Sequence, residues 1–266
     1  MNFIEKFEKR ARQSNSLLCV GLDADLSQLP KRFLQEQQPQ FAFNQWIIQQ
    51  AAAFAAAFKA NSAFYEAKGA AGIEELRLTC QFLRESYPDI PIILDAKRAD
   101  IGNTNQAYLQ FAFDQLQVDA ITLQPYLGAE ALAPFLDRKD KGCIILCKTS
   151  NPGSAELQDQ RLATGEKLWQ WLAKQVAQEW NQNQNCLLVV GATYPEELQQ
   201  VRQIVAEMTL LVPGVGAQGA DLEKTLQAGL NSQGLGLIIN ASRSIIFAAQ
   251  PAEAAEKLRD QINHYR

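Results

Sequence analysis

Histidine is almost missing from this chain: its 266 residues include one, His264, two positions from the end. A histidine general base, a serine triad and a histidine-rich metal site are therefore set aside, and proton chemistry falls to Asp, Glu, Lys, Tyr or Cys. Cysteine is scarce too. Cys19, Cys80, Cys143, Cys147 and Cys186 are odd in number, lie mostly in apolar segments and form no Cys-x-x-Cys pair, so they read as reduced core residues of a cytoplasmic protein. Cys143 and Cys147 are the one close pair, and without nearby histidines they do not point to zinc. No block of Lys and Arg occurs and the net charge is −4. This argues against a nucleic-acid surface but leaves room for a local anion pocket. The apolar run at residues 17–22 is too short for a signal or a membrane span, and residues 1–12 are mixed in charge, so neither export nor membrane insertion is expected. No low-complexity linker divides the chain. The glutamine- and asparagine-rich pieces at residues 35–40 and 181–185 read as solvated helix ends or loops.

What is present is a 47% hydrophobic composition, enough for a substantial core. Short apolar runs alternate with amphipathic stretches. The runs at residues 17–22, 56–60, 92–95, 120–123, 143–147, 187–190, 210–212 and 235–239 read as strands. Helical patterns lie near residues 41–54, 72–86, 104–116, 130–136, 164–180, 195–205 and 222–228, with a last helix at 251–262. Residues 51–60 are alanine-rich, so the second strand is also compatible with an extension of the preceding helix. Eight strand-helix units over this length predict an α/β fold, a single TIM (β/α)8 barrel spanning residues 1–266 as one domain; an open doubly wound sheet usually needs fewer strands.

In that architecture chemistry gathers where strands end and βα loops begin. Residues 93–100, ILDAKRAD, place Asp95 and Lys97 on one interior face of an extended third strand, with Asp100 in the turn that follows. Asp23 ends the first strand, Lys59 and Asn61 the second, and Gln124 the fourth. Thr149, Ser150 and Asn151 follow the fifth, Pro213 to Gln218 the seventh, and Asn240 to Arg243 the eighth. Each has an ordinary reading alone: Asp95 and Lys97 as a buried ion pair, Asp23 as a turn residue, Lys59 as a snorkelling side chain, Arg243 as a helix cap. Their joint position on one rim favours function. Gly214 and Gly216 let backbone amides approach an anion, Gln218 can donate from its side chain, and Arg243 offers a planar fork; loops seven and eight commonly hold phosphate in such barrels.

Through VGLDAD at residues 20–25, FKANSAFYE at 58–66, LDAKRADIGNT at 94–104, SNPG at 150–153, PGVGAQGAD at 213–221 and ASRS at 241–244, the chain resembles the orotidine 5′-phosphate decarboxylase family, most of all its longer bacterial branch. The resemblance implies conversion of orotidine monophosphate to uridine monophosphate by a homodimer with shared sites, without metal or organic cofactor. It implies that Asp23 and Lys59 hold the ribose and orient the cluster, Asp95 lies against the substrate carboxylate, and Lys97 donates the proton. It further implies that Asp100 and Thr104 reach into the partner's site, that Ser150 meets the pyrimidine, and that Gln218 and Arg243 bind phosphate, beside Pro213 and Ser242. Ala220 stands where a second glycine often follows the Gln-Gly pair, and Ser242 where glycine is frequent. Two alternatives stay open. One is a magnesium-dependent sugar-phosphate decarboxylase or aldolase of the same superfamily, which Lys59 disfavours because those enzymes carry a metal-holding carboxylate near the second strand. The other is a catalytically silent nucleotide-binding barrel.

Overall fold

Strands that are apolar on both faces must be covered on both, which a parallel sheet closed on itself and wrapped by helices achieves. The computed structural model, which describes residues 1–215 and 221–266, has this form. Strands β1 (Leu18–Gly21), β2 (Ala57–Asn61), β3 (Ile92–Arg98), β4 (Ala120–Leu123), β5 (Gly142–Lys148), β6 (Cys186–Val190), β7 (Leu210–Pro213) and β8 (Leu237–Ala241) pair in parallel, in chain order. β8 returns to β1, pairing Cys19 with Asn240, so the barrel is closed. It is a TIM barrel. Among the described residues no helix is long and apolar enough to cross a membrane.

The alanine-rich stretch before β2 does not continue the helix. That helix, Pro39–Ala51, ends in a turn, and the Ala56 N–H donates to the Leu18 carbonyl at 2.7 Å, which starts the strand. The strongly periodic segment Pro195–Val205 is a helix over its predicted span.

Four local features depart from the sequence reading. Residues 1–12 are not merely mixed in charge: Phe3–Gln13 is an amphipathic helix with Phe3, Phe7 and Ala11 buried at helical spacing, opened by reciprocal bonds between Asn2 and Glu5. Its Phe3 ring fills the space beside Gly142, where a Cβ would lie 2.5 Å from the ring. The helix expected over residues 164–180 begins only at Leu168, because Gly165 (φ +87°) turns the chain so that Arg161 and Lys167 form an antiparallel bridge. The helix expected over 104–116 runs as Gly102–Leu109 and continues in a wider π turn, Gln110–Gln115. Finally, β8 starts at Leu237 rather than at residue 235, since Gly236 at φ +79° is not extended. Asn240 and Ala241 thereby become strand residues.

Candidate active site

β1, β2 and β3 deliver one charged cluster to the carboxyl end of the barrel. Asp23, just past β1, is fixed from two sides: the Asn61 N–H donates to its Oδ1 at 2.9 Å, and the Ser242 hydroxyl donates to Oδ2 at 2.7 Å. That second contact requires glycine at position 21, because a Cβ there would fall 1.7 Å from the Ser242 oxygen. Lys59 projects from β2 and is only 3% exposed; its Nζ lies 2.9 Å from Asp95 Oδ2 and 3.7 Å from Asp23 Oδ2. Asp95 Oδ1 in turn receives Lys97 Nζ at 2.7 Å and the Thr122 hydroxyl at 2.9 Å. One carboxylate is thus shared by two ammonium groups.

Electrostatics keeps this cluster ionised. Burial works against a charged Lys59, yet the carboxylates of Asp23 and Asp95 outweigh it and hold the ammonium above the usual lysine range. Burial likewise favours a neutral Asp95, and the charges and hydrogen bonds of Lys59 and Lys97 overcome it, leaving the carboxyl well below the usual carboxylate range. Cys19, paired in register with Asn240, has its thiol pushed up to about 12 by burial and therefore stays protonated.

The strict alternation expected for Asp95 and Lys97 does not hold. β3 advances from Leu94 to Arg98 while its partner β4 advances only from Ile121 to Leu123, so β3 bulges between them. Lys97 takes a left-handed backbone (φ +48°), and its side chain is 47% exposed against 12% for Asp95. The two do not share an interior face as extended residues. Their contact comes from the bulge, which turns the Lys97 ammonium back toward Asp95.

A cavity of about 480 Å³ opens over the cluster, a size suited to a nucleotide-scale ligand. Asp23, Lys59 and Asp95 line one side; Pro213, Gly214, Asn240, Ser242 and Arg243 line the other. Gly214 has φ +99°, a conformation that turns the chain beneath this wall. Arg243 opens a short helix after β8 and, among the described residues, forms no ion pair. Gln218 and Gly216 lie outside the described residues.

Four predicted site residues do not line this cavity within one chain: Lys97 meets it only through its contact with Asp95, and Asp100, Thr104 and Ser150 stand apart. Asp100 caps its own loop, accepting from the Ile101 N–H at 2.7 Å, and contacts no lysine of the cluster. Thr104 is exposed on the helix Gly102–Leu109. Ser150, half-buried after β5, packs against Gly191, where a Cβ would approach it to 2.7 Å. Conversely, two residues absent from the predicted set, Thr122 and Lys148, stand at this end of the barrel. Thr122 joins β4 to Asp95 and was hidden as a single hydroxyl in an apolar strand. Asn240, which the sequence placed on the rim after the eighth strand, lines the cavity with its Oδ1 buried and without a hydrogen-bond partner among the described residues. Lys148, buried at the end of β5, was legible only as a charge closing an apolar run.

A closed parallel barrel with a lysine-carboxylate array at its carboxyl mouth and a cationic wall opposite defines an α/β-barrel enzyme site for a small anionic substrate. The model of the Orotidine 5′-phosphate decarboxylase / HUMPS family matches residues 16–258, and the chain belongs to that family. It is 48% identical over 258 residues to an orotidine 5′-phosphate decarboxylase of Herpetosiphon aurantiacus, covering 97% of this chain and 94% of that one. It is 44% identical to the protein of that name in Janthinobacterium, covering 100% and 99%. Among solved structures, the Leishmania donovani OMP decarboxylase superposes with a TM-score of 0.89 at 39% identity, covering 100% of this chain and 98% of that one. The L. donovani UMP synthase matches with a TM-score of 0.91 at 40% identity, and there this chain spans 56% of the longer protein.

Proposed function

We propose that this chain decarboxylates orotidine 5′-phosphate to uridine 5′-phosphate and carbon dioxide, the last step of pyrimidine nucleotide synthesis, without metal or organic cofactor. The observation that carries the reading is the shared Asp95 carboxylate, held between the Lys59 and Lys97 ammonium groups at the cavity in a chain of this family.

Loss of carbon dioxide from carbon 6 of the pyrimidine leaves a carbanion whose electrons do not delocalise as in a β-keto acid, so it must be stabilised electrostatically. Lys97 supplies the positive charge and then the proton at carbon 6. One such charge pair at about 4 Å and an effective dielectric near 20 is worth roughly 4 kcal/mol, against the roughly 8–23 kcal/mol enzymes supply, so further contributions are needed. Asp95 contributes by repelling the substrate carboxylate more than the transition state in which that charge is leaving. Lys59 orients Asp95, and Asp23 accepts from the ribose hydroxyls. Arg243 and Gln218 bind the phosphate, Pro213 and Ser242 also contact the substrate, and the phosphate's binding energy offsets the repulsion. Ser150 meets the pyrimidine. The Lys59 ammonium stands between Asp23 and Asp95, so these carboxylates already have a resident cation, which favours the cofactor-free reaction over a magnesium-dependent one.

The enzyme works as a homodimer in the cytoplasm, with Asp100 and Thr104 entering the partner's site. Exposed apolar side chains on the two adjoining loops that leave β3 and β4 support this: Ile101 (61% exposed), next to Asp100, and Tyr126 (81%) and Leu127 (42%). The five cysteines, free and buried, fit a reducing compartment. The test is the ultraviolet change on loss of orotidine 5′-phosphate, run in excess chelator. Full turnover is expected. A strict magnesium requirement favours the sugar-phosphate alternative, and binding without conversion favours a silent nucleotide-binding barrel.

A further inference from the structure

Lys148 is as deeply buried as Lys59, at 1% exposed, yet it does not line the cavity. Its ammonium lies 3.0 Å from Asp159 Oδ2 and 3.3 Å from the Ser154 hydroxyl, and stands 4.8 Å above the centre of the Tyr194 ring. Asp159 also faces Lys167, whose Nζ is 3.4 Å from Oδ1, although that oxygen has no hydrogen bond of proper geometry. Burial works to neutralise Asp159, but the hydrogen bond and charge of Lys148, with those of Lys167, hold the carboxyl below its usual range. Taking an ammonium out of water costs several kcal/mol unless its partners are well placed. An apolar side chain of the same length would fill the space without that penalty, so the charge itself calls for a reason.

The partners supply one. Asp159 and Ser154 lie on the far side of the loop that leaves β5, and Tyr194 lies on the loop that leaves β6. The ammonium ties the first loop back onto its own strand and against the second. Gln158, next to Asp159, accepts from the Thr149 N–H at 2.9 Å and donates to the Thr149 hydroxyl at 2.8 Å. The Gly191 N–H donates to the Lys148 carbonyl at 2.8 Å. Ser150 sits at the centre of these ties, pressed on Gly191 with no space for a Cβ between them.

We propose that Lys148 is the positioning residue for Ser150: its ammonium clamps residues 149–159 onto the β6 loop and so sets the base-recognising hydroxyl at the height of the pyrimidine. The inference rests on the reading of Ser150 as the pyrimidine contact. The phosphate wall is built from β7 and β8 and meets the β6 loop through one backbone bond, from the Ala192 N–H to the Pro213 carbonyl at 3.0 Å; the Lys148 ammonium touches only the β5 and β6 loops, so the clamp acts mainly on the base and far less on the phosphate arm.

The experiment compares two ligands by calorimetry, uridine monophosphate and ribose 5-phosphate, in Lys148→Met, Ser150→Ala and the double variant, with orotidine 5′-phosphate turnover followed alongside. Lys148→Met should weaken uridine monophosphate about tenfold and leave ribose 5-phosphate within about twofold. In the Ser150→Ala background the same change should weaken uridine monophosphate by no more than about twofold, since the group it positions is gone. Asp159→Asn, a change at a quarter-exposed site that keeps the stem of Lys148 buried, should reproduce the pattern if Lys148→Met does not fold. Equal losses for both ligands, no loss for either, or losses that multiply in the double variant overturn the assignment. So does a Ser150→Ala protein that binds uridine monophosphate as the parent does. A parent protein that fails to turn over orotidine 5′-phosphate instead defeats the functional reading, so the two failures are distinct.

Discussion

The Thr122 hydroxyl accepts a hydrogen bond from the backbone N–H of Lys97 at 2.9 Å and donates one to Asp95 Oδ1 at 2.9 Å. It therefore holds the bulge of β3 at the residue whose left-handed backbone costs about 1–2 kcal/mol, and it couples that backbone to the shared carboxylate. Thr122→Val keeps the shape and removes both bonds. Expected is a stability loss of about 1–3 kcal/mol, read by urea denaturation, with kcat falling at least about tenfold and KM changing less. An unchanged kcat would show that the bulge keeps Lys97 in place unaided.

Lys97 is the most exposed member of the cluster and the one assigned the proton. Lys97→Ala should abolish turnover while uridine monophosphate still binds measurably by calorimetry, because the cavity wall formed by Asp23, Asn240 and Arg243 is untouched. Near-normal turnover would remove Lys97 from the chemistry.

The pH behaviour of the cluster follows from the direction of each shift. Asp95 is held below its unfolded value, so its contribution is fully present above the ordinary carboxylate range and is lost as pH falls through the lower folded value. Lys59 is held above its unfolded value, so its contribution is fully present below the ordinary lysine value of 10.5 and is lost as pH rises through the folded one. Neither titrates between about pH 5 and 9. Asp95→Asn strands the buried Lys59 ammonium with one carboxylate at 3.7 Å and should cost about 3 kcal/mol. The gap between parent and variant, from denaturant curves, should stay constant over that range and shrink below about pH 4. A gap that changes near neutral pH would mean that another group sets it.

Local patterning carried most of the barrel. Ala120–Leu123 and Pro195–Val205 have the predicted bounds because their periodicity is unbroken and their neighbours are turn residues. The misread segments turn on backbone conformations that periodicity does not encode: Gly236 delays β8, Gly165 delays the helix Leu168–Gln175, and Lys97 leaves the extended region. The site divides the same way. Asp23, Lys59, Asp95 and Arg243 were legible because strand ends in a barrel meet at one rim. The Thr122 bridge was not, since it joins residues 27 apart by a contact between neighbouring strands, nor was the Asp23–Ser242 bond, which closes 219 residues of chain. Asp100 was singled out by its motif, and within one chain it meets none of the cluster.

That separation makes the sharing of sites a decisive test. Asp100 spends one carboxylate oxygen on the Ile101 N–H, while the buried Asn105 side chain accepts from the Asp100 N–H at 2.8 Å and donates to its carbonyl. The residue is thus rigidly presented beside the exposed Ile101. Lys97→Ala and Asp100→Ala should each be inactive alone. If Asp100 serves the partner's site, each mixed dimer carries one site with both changes and one with neither. Random exchange makes about half of the dimers mixed, so an equal mixture should recover about one quarter of the parent activity. Subunit exchange is confirmed by native mass spectrometry of differently tagged chains. Exchange without recovery would place Asp100 outside the partner's site and leave the Lys59, Asp95 and Lys97 array to work within a single chain.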